Sequence, residues 1–300
     1  MSENNYIVID WGSTNIRAFL CLEGKVKEVK KSPQGVTTVR GAACEGVFDS
    51  LCQPWFDEYG PLKTVMAGMV GSVNGWIDAP YLNCPVDLSE LATKLTPVPH
   101  SRGLNVNIIP GLCVQDPHNY NVIRGEETQL AGACASTPCH ICIMPGTHCK
   151  WVLLDSSRVE SFRTAMTGEL HHLLMQYSLI GLGTPEQESS AIAFEQGLHK
   201  GFEENNLAAH LFEVRAANIL HGIKPSQVSE FLSGLLIGAE IASMQKIFKF
   251  TPQDGAAAII ANPFLTQRYQ QGLALAGIES VALDGDKCFL NGIMPIAAAI

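Results

Sequence analysis

The sequence has no excess of positive charge: 20 Lys and Arg face 29 Asp and Glu, a formal net charge of −9. A nucleic acid or anionic membrane would draw its affinity from Lys and Arg, so neither is expected as a partner. An acidic protein can still build a local basic pocket, so an anionic small molecule remains open. The chain also lacks an uninterrupted apolar run long enough to span a bilayer. Its start, Met1-Ser2-Glu3-Asn4-Asn5, has neither the basic beginning nor the apolar stretch of a secretory leader. Low-complexity linkers, charge blocks and short-period repeats are missing. So are a Walker-type loop and a Rossmann Gly-x-Gly-x-x-Gly, which argues against a P-loop or dinucleotide-binding enzyme. The ten cysteines form no disulfide-like framework and fit buried thiols in a reducing cytosol. Cys139-His140-Ile141-Cys142 has C-x-x-C spacing, but within one strand its thiols would face opposite sides and no second pair completes a zinc site.

What is present suits a compact enzyme. At 300 residues the chain has room for two domains, with 46% hydrophobic and 16% charged residues. A long-range repeat divides it. Residues 6–30 predict a strand ending at Asp10, a small polar turn, a strand over Ile16–Leu22 and a hairpin at Glu23-Gly24. Residues 140–163 repeat the plan, with the turn Pro145-Gly146-Thr147-His148 between strands. Helices alternating with strands follow each meander, which predicts α/β layers. Two similar α/β halves, 1–138 and 139–300, predict a duplicated fold with a cleft between them.

Four segments carry chemistry. In Ile9-Asp10-Trp11-Gly12-Ser13-Thr14-Asn15-Ile16-Arg17, an Asp ends a buried strand and a Gly/Ser/Thr turn offers successive backbone N–H groups to an anion. Asp10 would act through a bound Mg²⁺ and its water shell. A plain hairpin explains the glycine but neither Asp10 nor Arg17. The matching turn, Gly146-Thr147, would cradle phosphate oxygens, with Lys150 adding positive charge. Arg124-Gly125-Glu126-Glu127 reads as a helix start, where both carboxylates also favour the helix dipole. Gly68 to Tyr81 leaves a buried strand for small and polar residues. His171-His172 reads as surface plus packing, and Asp284-Gly285-Asp286 as a plain turn.

Together these segments resemble the 2-dehydro-3-deoxygalactonate kinase family of the actin/hexokinase/Hsp70-like superfamily. The resemblance covers essentially the whole chain and includes Met166-Thr167-Gly168-Glu169-Leu170. It implies two actin-like (ribonuclease H-like) domains, and transfer of phosphate from MgATP to the C6 hydroxyl of 2-dehydro-3-deoxy-D-galactonate. It implies Glu126 as the base that takes the hydroxyl proton, on the position where relatives carry an Asp. Gly12, Ser13, Thr14, Arg17, Gly146, Thr147 and Lys150 are the implied phosphate residues, with Gly234 and Asn262 on the adenosine side. Ala261-Asn262 stands where many superfamily members have Gly-Gly. Met69, Ser72, Asn74, Trp76 and Glu127 are the implied substrate neighbours. Arg124 is the first choice for the substrate carboxylate and Arg163 the second. The gluconate epimer, another sugar or polyol, and an ATP-gated binding protein stay open as alternatives. The expected location is cytoplasmic, and a homodimer is left open.

Overall fold

The computed structural model describes residues 4–203 and 206–300. The first three residues of the polar start, Met1–Glu3, lie outside the described residues. Internal contacts gather the chain into two units. The first holds the described residues to Pro138, Leu154–Ser161 and Gly285–Ile300. The second holds Cys139–Leu153 and the described residues of Phe162–Asp284.

In the first unit, β1 (Tyr6–Trp11) is almost wholly apolar and buried. It is joined by the antiparallel meander β2 (Ile16–Leu22) and β3 (Lys25–Ser32). β3 reads Lys-Val-Lys-Glu-Val-Lys-Lys-Ser and forms an exposed edge, where its lysines discourage further pairing. Helix α1 (Ala43–Tyr59) buries Phe48, Cys52, Trp55 and Phe56 at helical spacing. It leads to β4 (Lys63–Ala67), parallel to β1. Short elements follow: β5 (Tyr81–Asn83), β6 (Val86–Asp87), α2 (Glu90–Thr93), β7 (Thr96–Pro97), β8 (Val106–Ile108), β9 (Gly111–Asp116) and β10 (Asn119–Ile123). Helix α3 (Glu126–Ser136) closes the series. The main sheet runs β3-β2-β1-β4-β8-β7, and β10-β9-β5 form a small second sheet. Ile7, Ile9, Trp11, Phe48, Trp55 and Met66 share one core. Each such side chain contributes about 1.5–3 kcal/mol by leaving water.

The second unit repeats the meander with β11 (Ile141–Met144), β12 (Cys149–Asp155) and β13 (Arg158–Ala165). Helices α4 (Thr167–Tyr177), α5 (Ala191–Phe202), α6 (Leu207–Ile219) and α7 (Val228–Phe248) come next, then β14 (Ala257–Ile260), α8 (Pro263–Leu275) and β15 (Ser280–Leu283). Sheet order is β15-β14-β11-β12-β13, and β6 pairs with Arg158 and Val159, the part of β13 that belongs to the first unit. The stretch Pro225–Phe248 is long and apolar enough to cross a membrane, but half of its apolar window is buried. It serves as a core helix against α5. The closing helix α9 (Gly285–Ala299), expected with the second half, packs on α3 in the first unit. All ten cysteines are free thiols, and Cys139 lies just before β11 rather than within it.

Candidate active site

The turn after β1 is held from one side by residues 35–37. Gly35, Val36 and Thr37 donate their N–H groups to the carbonyls of Thr14, Gly12 and Ser13, at 3.1, 3.1 and 2.9 Å. A trans peptide points its N–H opposite its carbonyl. The N–H groups of Ser13, Thr14 and Asn15 therefore face away from this support, as an anion cradle requires. Ser13 and Thr14 are exposed, and a cavity of about 650 Å³ is lined by Asp10, Gly12, Thr14, Asn15, Arg17 and Lys31, among others. Arg17, implied as a phosphate residue, is engaged by two carboxylates. Its Nη2 and Nε donate to Asp10 Oδ2 at 2.7 and 3.2 Å, and its Nη1 donates to Asp286. Arg17 thus bridges the strand-end Asp10 and Asp286. Asp286, read as a turn residue, sits in the first turn of α9 and completes the cluster.

Two other segments converge on the end of β1. Asp10 pairs with Ala67 in the parallel register of β1 and β4, so both strands end side by side. Gly68 follows with φ 104°, and a Cβ there would lie 2.7 Å from the Trp11 carbonyl oxygen. Gly125, with φ 108°, would place a Cβ 3.2 Å from Gly68 Cα. Only glycine combines this backbone region with such an approach. The loops 68–76 and 123–127 thus meet at the strand end.

Arg124 is 8% exposed. Its Nη2 donates to Ala79 O at 2.6 Å, its Nε to Tyr81 Oη at 3.3 Å, and its guanidinium lies 4.2 Å from the Tyr81 ring centroid. Its Nη1 is the one buried side-chain nitrogen or oxygen without a hydrogen-bond partner among the described residues. Glu126, half-buried at the first turn of α3, accepts the Arg124 N–H at 3.1 Å. Glu127 is turned inward with no exposure and accepts the Gly125 N–H at 2.6 Å. Burial, reinforced by the Glu126 charge and opposed by its backbone hydrogen bonds and Arg124, pushes the Glu127 carboxyl up to about 8. Placed there, Glu127 ties down the backbone of the loop before α3. Of the other implied substrate neighbours, Asn74 is exposed, Met69 half-buried, and Ser72 bonded to Met69 O at 2.8 Å. Trp76 packs against the core beside Trp11, Phe48 and His100.

In the second unit, the turn after β11 leans on the start of α4. The Glu169 N–H donates to Thr147 O at 3.0 Å, so the His148 N–H points the other way. Gly168 approaches so closely that a Cβ would sit 2.5 Å from Gly146 O. His148 pairs with Glu169. Lys150 is 7% exposed and forms no ion pair among the described residues. Gly234 is buried where α7 crosses α5, and a Cβ would fall 2.0 Å from Phe194 O, so the glycine permits close packing there. Asn262 caps α8 by accepting the Leu265 N–H at 2.9 Å. A cavity of about 170 Å³ joins Gly146 and Gly168 to Ser233, Phe264 and Arg268. Arg163 lies half-buried on β13.

A family model described as 2-keto-3-deoxy-galactonokinase matches residues 10–296. The 2-dehydro-3-deoxygalactonokinase of Escherichia coli (strain K12) is 49% identical over 295 residues, 98% of each chain. A solved Sinorhizobium meliloti structure, named provisionally as a 2-dehydro-3-deoxygalactonokinase, has a TM-score of 0.89 at 31% identity, with 98% of both chains covered. The activator of the 2-hydroxyisocaproyl-CoA dehydratase from Clostridium difficile, solved with bound ADPNP, has a TM-score of 0.51 at 12% identity. That match covers 98% of this chain and 94% of the activator, and carries the fold alone. The fold is that of the actin-like ATPases and sugar kinases.

Proposed function

The chain belongs to the 2-keto-3-deoxy-galactonokinase family, and from that premise we propose that it transfers the terminal phosphoryl group of ATP to the C6 hydroxyl of 2-dehydro-3-deoxy-D-galactonate. The product is 2-dehydro-3-deoxy-6-phosphogalactonate, made in the cytoplasm. The two units act as two actin-like halves, the first carrying the sugar acid and one phosphate turn, the second the other phosphate turn and the adenosine.

The observation that carries the sugar-acid reading is Arg124. A buried donor without an acceptor costs about 1–3 kcal/mol, and Arg124 Nη1 is such a donor beside the meeting point of the two loops. The substrate carboxylate supplies the missing acceptor, whereas a neutral polyol offers no charge for it. Glu126 takes the hydroxyl proton as the phosphoryl group arrives, and Glu127 and Gly125 hold its loop. The N–H groups of Ser13 to Asn15 and of His148 face the phosphate oxygens. Phosphoryl transfer depends mainly on such positioning and on charge neutralisation.

Asp10 fits a Mg²⁺ ion held through water. Arg17 occupies only its Oδ2, Oδ1 accepts no hydrogen bond among the described residues, and the carboxylate is partly exposed to the larger cavity. When bound, the ion would neutralise charge on the transferring phosphates.

Replacing Arg124 with Ala tests the reading. The KM for the sugar acid should rise about ten- to a hundredfold, the scale of a lost charge-assisted hydrogen bond, while the KM for MgATP stays put. An unchanged sugar-acid KM would remove Arg124 from the carboxylate and favour a neutral substrate.

A further inference from the structure

Glu240 is a buried carboxylate held by neutral donors. It lies on α7 at 6% exposure and forms no ion pair among the described residues. Instead it accepts three neutral donors: Trp151 Nε1 at 2.5 Å, Tyr269 Oη at 2.8 Å and Thr167 Oγ1. The Cys149 thiol lies against it and is pushed well up, first by burial and then by the Glu240 charge.

These partners surround the second phosphate turn. Cys149 and Trp151 open β12, the strand leaving the turn. Thr167 starts α4, whose next two residues are the ones that abut the turn: Gly168 against Gly146 O, and Glu169 donating to Thr147 O. One carboxylate therefore ties the helix behind the turn to the strand in front of it. A buried charge held only by neutral donors carries a desolvation cost, and apolar side chains of the same shape often stabilise a core as well or better. Stability alone gives little reason to keep an acid here; fixed geometry gives one.

We propose that Glu240, acting through Thr167, is a positioning residue for the Gly146–Thr147 turn and sets the affinity for the nucleotide phosphates. This rests on the kinase reading and deepens it. The hydroxyl of Thr167 is the transmitting group, so Thr167→Val, which keeps the shape and removes the hydrogen bond, is the informative variant. Thr167→Ser restores the hydroxyl.

The test measures MgATP binding directly by titration calorimetry without sugar, together with both KM values, kcat and Tm. Thr167→Val should weaken MgATP binding about tenfold, as expected for one lost hydrogen bond to a charged acceptor. It should leave the KM for the sugar acid unchanged, and Thr167→Ser should bind MgATP close to wild type. Glu240→Gln, which turns an amide donor toward existing donors, should weaken binding at least as much. Thr167→Val binding MgATP like wild type, with only Tm lowered, would reduce the cluster to a core contact and overturn the proposal. Thr167→Ser behaving like Thr167→Val would also overturn it. Wild type that binds no MgATP would overturn the kinase reading and this proposal together.

Discussion

The turns after β1 and β11 share a plan but differ in what surrounds them. The turn after β1 is ringed by charge: Asp10, Arg17, Asp286 and Lys31 sit around it, and it opens on a cavity of about 650 Å³. Its own carbonyls are held by residues 35–37. The turn after β11 has its support inside, in a helix start pressed against it and a carboxylate buried behind that helix. One turn thus offers a charged, open surround, and the other offers backbone geometry fixed by packing. Phosphoryl transfer needs both, since charge must be neutralised where atoms are already placed.

The contrast breaks most sharply at Asp10. Asp10→Asn should lower kcat on the order of a hundredfold, the scale of losing one charge-stabilising group, and should raise the Mg²⁺ concentration needed for half-maximal rate. A magnesium titration of the rate checks this; an unchanged requirement would mean Asp10 serves only Arg17. At the second turn, Gly168→Ala should act through geometry. Its methyl group must move the Gly146 carbonyl, so the KM for MgATP should rise severalfold and stability should fall by about 1–3 kcal/mol, with the Mg²⁺ requirement unchanged. Equal effects on magnesium from both variants would erase the distinction between the turns.

The smallest effect concerns Glu127. Its carboxyl titrates near 8 in the fold, against an ordinary value of 4.5, because burial disfavours the anion. The folded state therefore holds a proton that the unfolded state loses above about 4.5. This group's contribution is fully present below that pH and declines as pH rises toward 8. Glu127→Gln should flatten the decline. Urea unfolding from pH 5 to pH 9 checks it, and parallel curves for the two proteins would contradict the assignment.

Much of this was legible in residue order. The strand at Ile16–Leu22 coincides with the expected one, because a short apolar run between an Asn and a Glu-Gly turn has few alternatives. The Gly/Ser/Thr turns were legible for the same local reason. The strands β5, β9 and β10 were not, since strands of 3, 6 and 5 residues with little alternation leave weak patterns. Asp286 pairs with a residue 269 positions away, and its neighbours read as a turn. Glu240 is one acid in an apolar helix, and its three donors lie 89, 73 and 29 residues away. Local patterns report on the face a residue presents; they are silent on partners gathered by the fold.

The most direct measurement is ADP release with MgATP and 2-dehydro-3-deoxy-D-galactonate, run beside the gluconate epimer and glycerol, for wild type and Glu126→Gln. Wild type should turn over with strong preference for the galactonate compound. Glu126→Gln should lose about 10²–10⁴ in kcat, the usual contribution of a positioned base. Sugar-independent turnover in wild type, or a Glu126→Gln protein as fast as wild type, would contradict the account.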